Sequence, residues 1–292
     1  MFSQRYIQTI HIWSFAAVKK QIMNTSGFPK LSTITPSFNQ GRFLEETILS
    51  VLNQSYPNLE YIIIDGGSTD NSVEIIKKYE RHLAYWVSEP DKGQTHAVNK
   101  GLDRATGDII GWINSDDVYV KGAFKKVANA FLEHPNVILV HGDRIMLDAE
   151  SHVSGWGALP PFDPDKTCFC VCSETAFWQS SLTKGARLKE ELQYAMDLEF
   201  FCRLYRLGPF LKLNAYLGYF RCYQGNKTST ITTKGQEEAE REWKAVFGKD
   251  HEGLRHHLQS NYLKLLFKLM MHPALIGVPY VYRRFILGKR GM

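Results

Sequence analysis

Two adjacent carboxylates, Asp116 and Asp117, close the stretch Asn114-Ser115-Asp116-Asp117 at the end of an apolar run. Neighbouring carboxylates are hard oxygen ligands for Mg2+ or Mn2+. An ion held there can bridge a diphosphate and neutralise charge on a departing phosphate. The same residue types also make an ordinary capped turn. A second stretch, Asp65-Gly66-Gly67-Ser68-Thr69-Asp70, offers a carboxylate to a ribose or base edge and glycines that let backbone approach a ligand; it reads equally as a strand-to-helix turn. In a third, Ser88-Glu89-Pro90-Asp91-Lys92-Gly93-Gln94, Lys92 could meet a phosphate, or the segment is a plain surface loop. Asp197 opens a helical pattern in which Leu198, Phe201, Leu204 and Tyr205 take core positions. It reads as a helix cap or as a general base removing a proton from an attacking hydroxyl. Desolvation near other carboxylates would raise its pKa. The late polar loop Arg221–Thr228 carries Arg and Lys that could close over a diphosphate, or it is a loop without a role.

These residues need elements that bring them together. Leu31–Thr35, Leu59–Ile64, Ala84–Ser88 and Asp108–Ile113 read as strands, and Arg42–Asn53, Ser72–Glu80 and Thr95–Ala105 as the helices between them. Alternating strand and helix implies a mostly parallel sheet covered on both faces, with ligands bound outside the carboxyl ends of the strands. The loops after Thr35, Ile64 and Ile113 then converge on one edge. Beyond them the pattern is looser. Helices are expected over Gly122–His134, Met196–Leu207 and Gln236–Phe247, strands over Val137–His141 and Phe169–Val171, and a hairpin over Phe210–Phe220.

The chain has 292 residues, 44% hydrophobic and 22% charged, the composition of a globular protein with one sizeable core. No run of about 18 uncharged apolar residues marks a membrane span, and Ile7–Val18 makes no convincing signal peptide. The net charge of +5 is uneven: residues 1–30 hold four cations and residues 254–292 seven, neither stretch holding an acid. Basic ends on an acidic middle argue against a nucleic-acid-binding core and suit contact with an anionic membrane surface. The five cysteines include Cys168-x-Cys170-x-Cys172, which alternates as a strand does and lacks zinc-site spacing; reduced, mostly buried thiols are expected.

Taken in order, these segments resemble family 2 glycosyltransferases of the GT-A fold over residues 31–228. The resemblance rests on Thr35-Pro36-Ser37-Phe38-Asn39, Asp65 to Asp70, Glu89-Pro90-Asp91-Lys92-Gly93, Asn99-Lys100-Gly101 to Ala105-Thr106-Gly107-Asp108, Asn114 to Asp117, Tyr194-Ala195-Met196-Asp197 and Lys227-Thr228. It implies an α/β, Rossmann-like catalytic domain over residues 31–250, with a mostly parallel sheet and flanking helices. An N-terminal extension (1–30) and a C-terminal helical tail (251–292) would flank it. It implies Asp197 as catalytic base and Asp116 with Asp117 as ligands of Mn2+ or Mg2+. The nucleotide-sugar donor would be held by Pro36, Ser37, Phe38, Asn39, Asp65, Gly66, Asp91, Lys92, Gly93, Asn114, Ser115 and Lys227. The implied reaction is inverting transfer of a sugar, from a UDP-sugar by preference, to a glycan or lipid-linked acceptor in bacterial surface polysaccharide synthesis. The expected location is the cytoplasm, with contact to the inner membrane face. Two positions depart from the family pattern: Asn114 stands where an Asp is usual, and Tyr223 where the late loop often carries His.

Tyr262–Leu287 mixes apolar residues with Lys and Arg, and either lies in a membrane interface or packs on the domain. Two other functions compete. A sugar nucleotidyltransferase would carry a Gly-rich basic phosphate loop after the first strand, where this chain has Pro36-Ser37-Phe38-Asn39-Gln40. A non-catalytic nucleotide or glycan binder would have no need of Asp116, Asp117 and Asp197 together.

Overall fold

The computed structural model describes residues 27–165, 171–227 and 233–250. Strands β1 (Leu31–Ser37), β2 (Leu59–Asp65), β3 (Tyr85–Ser88) and β4 (Ile109–Trp112) pair in parallel in the order β3-β2-β1-β4. Helices α1 (Gly41–Leu52), α2 (Ser72–Tyr79) and α3 (Gln94–Arg104) make the crossovers. The expected parallel, doubly covered sheet is therefore this half of the molecule. β2 explains why it reads as one apolar run. Ile62 and Ile64 enter one core cluster with Val98 of α3, while Tyr61 and Ile63 enter another with Ile48 of α1. Side chains alternate across a strand, so a strand covered on both faces needs apolar residues at every position.

The second half turns the sheet mixed. β8 (Ala176–Gln179) pairs antiparallel with β4 and with β6 (Leu139–Leu147), and β7 (Val153–Gly157) takes over the same edge of β6 further along. The stretch expected to be a hairpin is one long strand, β9 (Phe210–Arg221), parallel to β6 with two register shifts near Asp143. Bulges of this kind bend a strand, and β9 ends against the two-residue β5 (Val118–Tyr119) just after the paired carboxylates. Helices α4 (Ala123–Glu133), α5 (Met196–Tyr205) and α6 (Thr233–Phe247) complete the layers. Trp112, Trp178, Phe200 and Phe201 pack together, with Trp112 stacked on Phe201 at 5.3 Å between centroids. This cluster fastens α5, and with it Asp197, to the end of β4. Val171 lies outside any strand, and 166–170, the tail and residues 1–26 lie outside the described residues. No helix among those described is long and apolar enough to cross a membrane.

Candidate active site

Four parallel strands end at one edge, and their loops with the chain after β9 enclose a cavity of about 710 Å3. Pro36, Ser37 and Phe38 line it from the first loop, Gly66 from the second, Asp91 and Gly93 from the third, Asn114, Ser115 and Asp116 from the fourth, and Lys227 from the late loop. Pro36 sits in a strand interior, yet β4 pairs with β1 only as far as Ile34, so its missing N–H falls beyond that ladder. Phe38 is 58% exposed at the cavity wall, a flat apolar surface open to a planar ligand.

Three expected donor contacts are placed otherwise. Asp65 is 0% exposed, and its carboxylate accepts from the Gly67 and Ser68 N–H groups and the Ser68 and Ser88 hydroxyls at 2.5–3.2 Å. It braces the turn that presents Gly66. Asn39 has left-handed backbone and accepts from the Thr69 N–H at 2.8 Å, tying the first loop to the second. Lys92 is exposed and outside the cavity lining. Gly66 has a steric reason: a Cβ there would stand 2.8 Å from Asp91 Oδ2.

The carboxylate pair is divided. Asp116 lines the cavity and its Oδ2 accepts from the Tyr223 hydroxyl at 3.0 Å. Burial pushes its pKa up, and Tyr223 opposes that. Asp117, 1% exposed, accepts from the Arg221 N–H at 2.9 Å and from Asn114 Nδ2 at 3.3 Å. Burial first, then the Asp116 and Glu174 charges, hold its pKa well above the usual range. As a metal ligand in this arrangement Asp117 is withdrawn behind Asp116. Arg221, fully buried, joins the layers: its side chain donates to the Asp116 carbonyl at 2.7 Å, to Ser151 Oγ at 2.7 Å and to Glu46 at 2.9 Å, and lies 4.6 Å from the Phe43 ring. Only its place at the head of the late polar loop gave any sequence signal.

Across the cavity, Lys227 Nζ donates to Gln94 Oε1 at 3.1 Å, and Gln94 Nε2 donates to Asn114 Oδ1 at 2.7 Å. The late loop is thereby strapped to the start of α3 and to the Asp116 loop. Burial lowers the Lys227 pKa, with Asp197 acting against it. Asp197 lies in the first turn of α5, whose cap position is Ala195, and is half-buried and not among the residues that line the cavity. Burial raises its pKa, and Lys227 and Arg144 pull it down. Close by is an ion pair between the half-buried Arg144 and the buried Glu174, at 3.6 Å. Glu174 carried no motif, and Gln40 and Gln94 stood at the ends of two loop stretches without a role; each acquires its place only through tertiary contact. A hard cation fits Asp116. No group of three His, Cys, Asp or Glu side chains among the described residues makes a metal cage. Mg2+ is commonly held by one or two carboxylates together with substrate phosphates, the donor set that one carboxylate on a cavity wall can complete.

The chain matches the model of glycosyl transferase family 2 over residues 32–212, more than half its length. It is 36% identical over 127 residues to an uncharacterized glycosyltransferase of Haemophilus influenzae, covering 42% of this chain and 50% of that one. It is 26% identical over 228 residues to the GalNAc(5)-diNAcBac-PP-undecaprenol beta-1,3-glucosyltransferase of Campylobacter jejuni, covering 73% and 70%. The chain spans about half the length of several of its curated relatives. Staphylococcus aureus TarS 1–349, solved with UDP-GlcNAc, has a similar fold, with a TM-score of 0.59 and 20% identity over 78% of this chain and 69% of that one. With its GT-A architecture and the family match over residues 32–212, the chain belongs to glycosyl transferase family 2.

Proposed function

We propose that the chain is an inverting glycosyltransferase that moves a sugar from a nucleotide-diphosphate donor, a UDP-sugar by preference, to a glycan or lipid-linked acceptor. The observation that carries this reading is the cavity itself: one wall holds an exposed aromatic ring, Phe38, and others hold a carboxylate, Asp116, and a cation, Lys227. A nucleotide diphosphate has a flat base and an anionic tail to match them. The base would rest against Phe38, and the diphosphate would run between Asp116 and Lys227. Asp116 would hold Mn2+ or Mg2+ and Asp117 would support it from behind. Such an ion supplies charge neutralisation for the departing diphosphate.

In the transfer, an acceptor hydroxyl attacks the anomeric carbon, the bond from that carbon to the diphosphate oxygen breaks, and Asp197 takes the hydroxyl proton. A carboxylate with a raised pKa is a better base; burial raises that of Asp197, and the Lys227 charge acts against the rise. One base with no placed nucleophile supports inversion by a single displacement. The Campylobacter relative is named for an undecaprenol-linked acceptor and TarS was solved with UDP-GlcNAc, which supports a UDP-sugar donor and a lipid-linked acceptor in bacterial surface glycan synthesis. The basic ends of the chain support peripheral contact with the inner membrane face.

Thermal shift with UDP, GDP, dTDP and CDP, each with and without Mn2+, tests the reading. One nucleotide in large excess is expected to stabilise by roughly 2–4 kcal/mol, and only with metal. No shift with any of them at millimolar concentration counts against it.

A further inference from the structure

We infer that Tyr223 sets how strongly this site binds a divalent cation, by holding one of the two Asp116 oxygens. This deepens the proposed function and rests on Asp116 being the metal ligand. The Tyr223 hydroxyl lies 3.0 Å from Asp116 Oδ2, and Gln40 Nε2 donates to the same hydroxyl at 3.3 Å. A phenol has one proton to give. Asp116 Oδ2 at 3.0 Å is a nearer acceptor than Gln40 Oε1 at 3.5 Å, and a charged one, so that proton points at Asp116. Gln40 and Tyr223 thus form a relay ending on the carboxylate.

The ring cannot swing aside freely. It packs 4.9 Å from the Phe43 ring of α1, and Phe43 is itself backed by the Arg221 guanidinium at 4.6 Å. Tyr223 follows β9 by two residues, and Arg221 fixes the end of that strand to the Asp116 carbonyl. The phenol and the carboxylate are therefore held by one rigid unit. A neutral phenol is a donor here and not a ligand, so Tyr223 engages one Asp116 oxygen and adds no ligand of its own. A bound diphosphate would complete the ligand set, which makes cation binding depend on donor. An imidazole at position 223 would instead present a nitrogen able to ligate.

Removing the hydroxyl takes a hydrogen bond from the metal-free carboxylate and leaves Oδ2 available to a cation. Both effects favour the cation. The test is Mn2+ binding followed by electron paramagnetic resonance of the free ion, without nucleotide and with saturating UDP, on the full chain. Tyr223→Phe, which keeps the ring on Phe43, is expected to bind Mn2+ about tenfold more tightly than wild type without nucleotide, the scale of one hydrogen bond to a charged group. The gain from adding UDP should shrink correspondingly. Gln40→Leu, which removes the relay's outer member, should shift affinity the same way by less. Unchanged or weaker Mn2+ binding in a Tyr223→Phe protein that melts like wild type overturns the inference. Asp116→Asn separates the two levels. If it abolishes Mn2+ binding while Tyr223→Phe does nothing, only the role of Tyr223 fails. If binding survives Asp116→Asn, the metal assignment fails, and the inference with it.

Discussion

Replacing Arg221 with Met should cost a large share of the stability of this domain. The side chain is 0% exposed and holds the Asp116 carbonyl, the Ser151 hydroxyl and the Glu46 carboxylate at 2.7–2.9 Å. Removing one member of a buried charge pair typically costs about 3–5 kcal/mol. Glu46 is 29% exposed, so water recovers part of its solvation and the lower end of that range applies, about 3 kcal/mol. Met keeps the apolar stem against Phe43, so the loss reports the polar contacts and not a cavity. For a domain of this size the melting temperature should fall by roughly 6–12 °C. Arg221→Lys keeps the charge but lacks the fork that reaches four partners, the Asp148 carbonyl included, and should fall between. Circular dichroism melting of the three proteins decides it. A drop below about 2 °C for Arg221→Met would refute the claim that this guanidinium braces the carboxylate loop.

Further outcomes follow from the same geometry. Lys227→Met removes a cation that lowers the Asp197 pKa, so the acid limb of the pH profile of kcat/KM for nucleotide release should move to higher pH; an unmoved limb would separate the two residues. The Asp117 pKa is raised in the fold, so its contribution to stability is full below the ordinary carboxylate range and is lost as pH rises through the folded value. Asp117→Asn, which keeps an acceptor for the Arg221 N–H, should therefore lose less stability than wild type on going from about pH 4 to pH 7 in urea titrations. A steeper loss in the variant contradicts this. Gly101→Ala would put a methyl into the Ile34 side chain, 3.1 Å from Cγ1 and closer to Cγ2, prising α3 from β1. The expected cost is about 1–3 kcal/mol by thermal melting, and a neutral result would mean that the helix yields freely.

The first half of the fold was legible because its strands are covered on both faces, which forces runs such as Tyr61–Ile64 to be apolar throughout. In the second half the helices α4, α5 and α6 and the start of β6 were legible too, and the short or bent strands were not. β7 is the short, glycine-bearing Val153–Gly157, and β8 is four residues long, too brief for a period to show. β9 resembles a hairpin because Asn214 and Gly218 interrupt it, whereas those residues sit within one bent strand. At the site, the motif stretches named the loops that line the cavity but not the division of labour within them. Asp116 and Asp117 are equivalent as letters; Arg221, 104 residues beyond Asp117, separates them by taking the Asp117 carboxylate into the interior. Asp65 is likewise a strand-end carboxylate in the sequence, and only the positions of Ser68 and Ser88 show its oxygens occupied. The tail expected to meet membrane or domain lies outside the described residues.

The central claim is that Asp197 acts as the base in sugar transfer from a nucleotide donor bound beside Asp116. Its most direct test is the release of nucleoside diphosphate from a panel of nucleotide sugars by wild type and Asp197→Asn, with the affinity of each protein for UDP measured alongside by calorimetry. The account predicts that wild type turns over at least one donor, that the variant binds UDP with nearly unchanged affinity, and that its turnover falls by about 10²–10⁴-fold, the usual worth of a general base. A folded Asp197→Asn protein that turns over like wild type would contradict it.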